Sequence, residues 1–341
     1  MKLNGIVKKT LVVGALTWGV IPCSNGFINN AQANEAPTYS MGGVIEVDLT
    51  SGSDYDGTNS SDITLSTMEL AIEAQVNEWV SGEIVLLWEE GDTEPVDLDG
   101  ATITIGNTEK APLYLTAGLM TVPFGVYETN MISDPATLEM GETGDSAILV
   151  GLEANGLYAS AYTFNGDMDK VGDDDEINVF GASVGYAMES DSMNLNIGAD
   201  YISNLANSDG LADAIGDADL LDEIGGMAAH VILGLGDFTC IAEHVSSDDI
   251  MGSSPNATHL EAALTTEMIG NETVLAATYQ ITSEAAVLGL PETRYGVAVS
   301  MGIMDNTSVT VEYINNEDYA TEDDGSGESA DQVTAKLAIE F

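Results

Sequence analysis

The chain has 341 residues, of which 57 are acidic and 7 basic, for a formal net charge of −50. That sign excludes a nucleic-acid partner, because binding the phosphate backbone needs Lys and Arg. Disorder, the usual companion of such charge, is opposed by a hydrophobic fraction of 44% that recurs with a period of two residues.

The N-terminal segment reads as an export signal. Lys2, Lys8 and Lys9 form a positive n-region, Leu11 to Ile21 is apolar, and Ala31-Gln32-Ala33 is a small-residue cleavage site, so residues 1–33 are expected to be removed and the mature chain to begin at Asn34. The apolar run is too short for a membrane-spanning helix, which needs about 20 residues. Pro22 stands where a lipobox before Cys23 wants a small residue. Cys240 is then the only mature cysteine; it cannot form an intrachain disulfide and is expected to be a small buried hydrophobe.

From Ser40 the chain alternates. Gly43, Ile45, Val47 and Leu49 share one face of a first strand, and Val44, Glu46 and Asp48 the other. Met68, Leu70, Ile72, Ala74 and Val76 alternate with Thr67, Glu69, Ala71, Glu73 and Gln75; after an Asn77-Glu78 turn, Val80, Gly82, Ile84, Leu86 and Trp88 repeat the pattern. Acids placed mid-strand opposite an unbroken apolar face point to a transmembrane β-barrel rather than a soluble sandwich. Strands recur about every 19 residues, each near the 9–11 that cross a bilayer at a tilt.

The connectors are of two kinds. Short ones are read at Asn77-Glu78, Asn107–Pro112, Asn155-Gly156, Glu189–Ser192, Leu235–Asp237, Gly270-Asn271 and Asp305-Asn306. Long acidic ones centre on Ser53–Ser61, Glu89–Asp99, Asn165–Asp175, Asn204–Glu223, Ser246–Asn256, Ser283–Pro291 and Asn316–Glu328. Short periplasmic turns and long external loops are the asymmetry of outer-membrane barrels. Reading Asp134 to Thr143 as a strand gives an odd count and throws the later short turns outside. Leaving it within one long connector, Met120 to Asp145, gives an all-β, antiparallel barrel of about 16 strands. That connector is then the third external loop, expected to fold into the lumen, with Glu128, Asp134, Glu139, Glu142 and Asp145 lining a constriction. The last strand ends in alternation with a terminal Phe341, a signal of the kind the outer-membrane assembly machinery recognises.

No G-x-S-x-G, H-E-x-x-H, P-loop or C-x-x-C motif is present, so no enzyme is predicted. His230, His244 and His259 fall on successive strands; a His244–His259 metal pair beside Asp248 and Asp249 is weighed against solvated loop-end histidines, which are preferred. No segment matches an EF-hand loop, and no metal or cofactor is expected. Arg294 and Lys336 are the basic side chains that parity points inward, where an anionic solute or local pairing with luminal carboxylates competes for them. Pairing is preferred. Trp79, Trp88, Tyr201 and Tyr313 are expected at the membrane interfaces.

The run Tyr114 to Thr143, with Ser146–Gly151 and Leu157–Asp167, resembles the LbtU family of siderophore porins, most closely at Pro123–Gly125 and Asn130–Pro135. The resemblance implies an outer-membrane barrel that imports iron–siderophore complexes. The competing readings are a general diffusion porin with cation preference, and a structural barrel whose acidic loops bind divalent ions, lipopolysaccharide or a surface. Expected partners are a small solute, membrane lipid and lipopolysaccharide, and the assembly machinery, with a homotrimer left open.

Overall fold

The computed structural model describes residues 37–341, apart from 92, 169, 171–175, 191, 217–219, 221 and 251. The expected export signal, residues 1–33, lies outside the described residues. Among them, sixteen antiparallel strands close into a barrel in sequence order, the last pairing with the first. In order these are β1 (Thr38–Ser53), β2 (Asn59–Asn77), β3 (Val80–Glu89), β4 (Thr93–Asn107), β5 (Ala111–Thr121), β6 (Gly144–Ala154), β7 (Leu157–Phe164) and β8 (Val179–Glu189), then β9 (Met193–Ile202), β10 (Gly226–Leu235), β11 (Phe238–Ser247), β12 (Asn256–Met268), β13 (Asn271–Ser283), β14 (Thr293–Met304), β15 (Thr307–Glu317) and β16 (Ser329–Glu340). Closure gives each wall strand two neighbours, so the backbone polar groups are satisfied inside the sheet and none faces lipid.

Alternation sorts the side chains as the sequence requires. Val47, Leu49, Ile84, Ile103, Ile148, Val184, Ile197, Leu260, Val297, Val299 and Val311 are exposed on the outer wall. Their neighbours Asp48, Val85, Leu149, Glu261, Ala298 and Glu312 are buried on the inner one. Tyr201 and Tyr313 are exposed on the outer wall, and Trp79 is exposed in the turn between β2 and β3; ring and polar tip suit such residues to an interface. Cys240 corrects an expectation: it is exposed on the outer wall between Phe238 and Ala242, and not packed in a core.

Seven tight connections fall on the side of both termini. Two correct the sequence reading: the β2–β3 turn is Glu78-Trp79, one residue later than predicted, and a second lies between β12 and β13. The β12–β13 turn is Ile269-Gly270, one residue earlier than predicted, with Ile269 at φ 55° and Gly270 at φ 83°. Left-handed backbone at both positions is what a two-residue hairpin turn demands, and a β-branched side chain is strained there. The first two external connectors are also shorter than expected, since β1 and β2 continue as a ladder to the Ser53–Asn59 pair, and β4 starts at Thr93. Both faces of a sheet standing clear of the bilayer meet water, so hydrophobic alternation fades there while the hydrogen bonds persist.

The third external loop, L3, spans residues 122–143. Met120 and Asp145 pair with each other at the ends of β5 and β6, so Asp145 belongs to the wall and not to the loop. Within L3 a short helix, α1 (Ala136–Gly141), follows Pro135. The fifth loop, L5, runs over residues 203–225 and carries a second short helix, α2 (Asp209–Ile215), capped by the Ser208 hydroxyl accepting from Leu211 N–H.

Val299, paired with Leu275 and Val311 at the middle of its strand, tests the wall assignment. Val299→Arg should lower folding stability by about 2–4 kcal/mol, the cost of an arginine on the lipid face near the midplane. A urea titration of the folded barrel, followed by its heat-modifiable gel mobility, would measure the loss. An unchanged midpoint would contradict the assignment.

Candidate functional site in the barrel lumen

L3 is held against the inner wall by carboxylates. A stretch of loop inside a barrel meets a wall whose backbone groups are already paired, so its own N–H groups must find side chains or water. Four acids supply them. Asp200 on β9 accepts from Gly125 N–H at 3.1 Å. Glu243 on β11 accepts from Val126 N–H at 2.6 Å, from Tyr127 N–H at 3.1 Å, and from the Thr137 hydroxyl at 2.8 Å. Glu261 on β12 accepts from the Thr129 hydroxyl at 2.6 Å, and from the backbone and side-chain N–H of Asn130 at 2.9 and 2.7 Å. Glu312 on β15 accepts from Ile132 N–H at 2.6 Å and from the Ser133 hydroxyl at 2.6 Å. Gln280 on β13 accepts from Ala136 N–H at 2.8 Å. All five wall residues are buried.

Apolar contacts fill the space between these bonds. Phe124, Tyr127 and Met140 of L3 join Ala147, Leu149, Tyr162, Val245 and Ala257 of the wall in one cluster. Met131 sits with Ala263, Val274, Ala276, Ala298 and Ile314 in a second. L5 then closes over L3: the Ser208 hydroxyl donates to the Met140 carbonyl at 2.9 Å, and Asp209 N–H to the Glu142 carbonyl at 3.0 Å. A side chain at Gly210 would bring its Cβ to 1.9 Å from the Glu139 carbonyl oxygen, so α2 approaches α1 only because that position is glycine. Two loops, not one, narrow the lumen. The sequence signal for L5 was its length together with the Ser208 cap, which the reading of acidic surface loops passed over.

The acids predicted for the constriction divide. Glu128 and Glu139 are exposed, while Asp134 and Glu142 are partly buried. Asp145 accepts from Ser146 N–H on β6. Burial, then the charges of Asp209, Asp134, Asp99 and Glu89, push the Glu142 carboxyl up to about 7. Burial and Glu139 push Asp134 up to about 6, against the pull of Lys336 and Arg294. Those neighbours place acidic side chains of L5 and of β3 and β4 within electrostatic reach of L3. Asp99, Asp209 and Glu89 are therefore members of the site that the sequence reading did not include.

Both inward-pointing basic residues are engaged. Lys336 Nζ lies 2.5 Å from Glu46 Oε2 and 3.9 Å from Asp48 Oδ2. Arg294 donates through Nε to Asn316 Oδ1 at 2.8 Å and through Nη1 to the Asp134 carbonyl at 2.8 Å, clamping the turn before α1. The histidines are kept apart. His244 is exposed on the outer wall, its Nδ1 2.9 Å from the Thr258 hydroxyl, whereas His230 and His259 are buried inside. The His244–His259 pair weighed above is thus split between opposite faces of the sheet.

No family model matches the chain. It is similar to a UPF0422 protein of Coxiella burnetii (strain RSA 493 / Nine Mile phase I), with 31% identity over 304 residues, covering 84% of this chain and 65% of that protein. The chain thus spans 65% of the length of that relative. Among solved structures it resembles the outer-membrane channel DcaP of Acinetobacter baumannii, at 14% identity and a TM-score of 0.62, covering 92% of this chain and 100% of that one. It also resembles Salmonella typhi OmpF in complex with daunomycin, at 12% identity and a TM-score of 0.60, covering 89% and 97%. At such identities the likeness establishes the fold, and with the apolar outer wall it identifies an integral outer-membrane β-barrel. The relative's name specifies no siderophore, so of the LbtU resemblance the outer-membrane barrel is what these matches carry.

Removing an anchor should free its part of L3. In Glu312→Ala, Ile132 N–H and the Ser133 hydroxyl lose a charged acceptor, which should weaken docking by about 1.5–3 kcal/mol. Hydrogen–deuterium exchange across residues 130–134 should accelerate while the wall strands keep their protection. Uniform exchange behaviour in the variant and the parent would show that Glu312 does not hold the loop.

Proposed function

We propose that, after removal of residues 1–33, the barrel acts as a diffusion porin for small solutes with a preference for cations. One observation carries the reading: acids stand on both sides of the narrowed lumen, while both inward-pointing basic side chains are already bound to the protein. Glu142 on L3 lies in the field of Asp134 and of Asp209 on L5, while Asp99 on the wall acts on Glu142 and Asp209, and Glu89 on Asp134 and Glu142. A narrow lumen with low-dielectric walls concentrates such fields. A mobile anion entering it meets repulsion, and neither Lys336 nor Arg294 is free to partner it.

This ranks the cation porin above the import of iron–siderophore complexes, since a carboxylate siderophore is itself anionic. A siderophore route would need Lys336 released from Glu46 and Asp48, or Arg294 released from L3. Each release leaves buried polar groups unpaired, at a cost of about 1–3 kcal/mol per group. The assembly machinery, lipopolysaccharide and a homotrimer belong to the same proposal as partners of an outer-membrane barrel.

Reversal potential in a salt gradient across a planar bilayer tests it. Cation preference should be clear near 0.1 M salt and weaken near 1 M, as the screening length falls from about 10 Å to about 3 Å. Because Asp134 and Glu142 are raised, their charge is present in full only at higher pH and is lost as pH falls. Preference should therefore decline from about pH 8 to about pH 5. The Asp134→Asn, Glu142→Gln double variant should be less selective and flatter across that range. A reversal potential of anion-selective sign would overturn the proposal. Absence of any conductance would favour the structural-barrel alternative, and current block by a ferric siderophore at micromolar levels would restore the import reading.

A further inference from the structure

At the end of the lumen that carries both termini, the inner wall presents two aromatic rings that the reading above does not use. Tyr114 on β5 stands opposite Gly151 on β6. A Cβ built on Gly151 would lie 2.1 Å from Tyr114 Cζ, so the ring covers the inner face of that glycine. Tyr158 on β7 does the same over the next strands. A Cβ on Gly185 of β8 would meet Tyr158 Cζ at 2.1 Å, and one on Gly198 of β9 would meet its hydroxyl at 2.7 Å. Glycine permits the approach because no side chain stands between ring and backbone. Tyr158 is also held at its tip, where its hydroxyl donates to Asn196 Oδ1 at 2.8 Å and lies 3.1 Å from His230 Nε2. A ring laid on the wall has one face against the backbone and the other toward the lumen, and both tyrosines are partly exposed.

Between them stands a carboxylate. Glu153 on β6 pairs directly with Tyr158 across the sheet, which puts their Cβ atoms about 5 Å apart, and its charge acts on Tyr114. Glu153 is partly exposed and has no hydrogen-bond or ion-pair partner among the described residues. The wall acids under L3 are instead matched by N–H and hydroxyl groups, and Glu46 and Asp48 share Lys336. Lys110, in the turn before β5, is committed elsewhere: it pairs with Glu78 and lies 5.9 Å from the centroid of the Trp79 ring. A carboxylate attracts a cation by charge, and a ring face attracts one by its quadrupole within about 6 Å of the centroid. Two faces flanking one carboxylate suit a positive group that carries apolar substituents. An anion would meet repulsion from Glu153.

We infer that Tyr114, Glu153 and Tyr158 form a subsite for organic ammonium ions in the lumen. The subsite rests on the porin reading and deepens it, because it names the cations that the lumen favours. Methylated ammonium groups fit the chemistry best, since their methyl surface packs on the rings while their charge faces the carboxylate.

Choline and its uncharged isostere 3,3-dimethyl-1-butanol are the probes. Saturation-transfer NMR on the folded barrel in an uncharged detergent reads their binding at equilibrium, without current. The parent should bind choline at least about tenfold more tightly than the alcohol. Tyr114→Leu and Tyr158→Leu should each weaken choline about two- to fivefold, whereas Tyr114→Phe keeps the ring and should stay within about twofold of the parent. Glu153→Gln should weaken choline about fivefold and leave the alcohol unchanged; it conserves shape, so it serves if a leucine variant fails to fold. Glu83→Gln, on the inner wall of β3 near the same end, should change choline affinity by less than about twofold. Equal affinity for choline and the alcohol in the parent would overturn the inference. So would equal losses in Glu83→Gln and Glu153→Gln, which would mean that the total charge of the lumen holds the ion. Choline binding with the expected dependences in a barrel that passes no current would uphold the subsite while rejecting the porin reading. A cation-selective barrel that does not distinguish choline from the alcohol would keep the porin reading and reject the subsite.

Discussion

The structure depends on an exchange between a loop that lacks acceptors and a wall that has too many. Every backbone group of a closed barrel is committed to its neighbouring strands, so a segment folded inside finds no ladder to join. Its N–H groups would remain unpaired wherever packing excludes water. The inner wall carries the opposite problem, carboxylates at Asp200, Glu243, Glu261 and Glu312 that burial disfavours. Each set resolves the other. Charge-assisted bonds of this kind are about twice as strong as neutral ones, and several act along one loop. That is why a 22-residue connector between β5 and β6 takes a single path across the lumen.

The same exchange divides the acids into two populations. Those under L3 are matched by N–H dipoles and contribute little to what a solute would meet. Others lie in one another's field: Glu142 of L3 feels Asp134 of the same loop, Asp209 of L5, and Asp99 and Glu89 of the wall. The net charge of −50 is therefore a poor guide to the field inside the barrel. L5 matters because it seals L3 from the outer side. Its Ser208 and Asp209 engage the C-terminal carbonyls of α1, groups that a short helix otherwise leaves unsatisfied.

Much of the wall was legible because lipid imposes a strict period of two, and a one-residue error in register would put acids such as Glu261 into hydrocarbon. The strand count followed from parity. What was not legible lies where that constraint lapses. Beyond the bilayer the β1–β2 ladder continues through Ser and Thr residues that both faces tolerate, so the loops were drawn too long. At Ile269-Gly270 the expected turn residue, Asn271, stands one position late, and only the ladder of β12 with β13 reveals which residues turn. L3 was readable as an interruption, but its partners were not: nothing in the sequence distinguishes Glu261, which grips the loop, from Glu69, which lies on the wall away from it. That distinction arises from contacts more than a hundred residues apart along the chain.

The two luminal cations show why composition alone could not decide the solute. Two positive side chains on an inner wall suggest a path for anions. Lys336, however, stands between Glu46 and Asp48, where three charged groups share one site, and Arg294 is held in a fixed fork by Asn316 and the Asp134 carbonyl. A guanidinium fixed to a backbone carbonyl orders the loop more than it recruits a ligand, because moving toward a solute would give up the clamp on the turn before α1. Lysine is a more mobile point charge, but withdrawing it would leave two carboxylates facing each other within the wall. Each cation thus stabilises the acidic lumen in which it sits. The basic residues that suggested an anion route are structural parts of the wall and of L3.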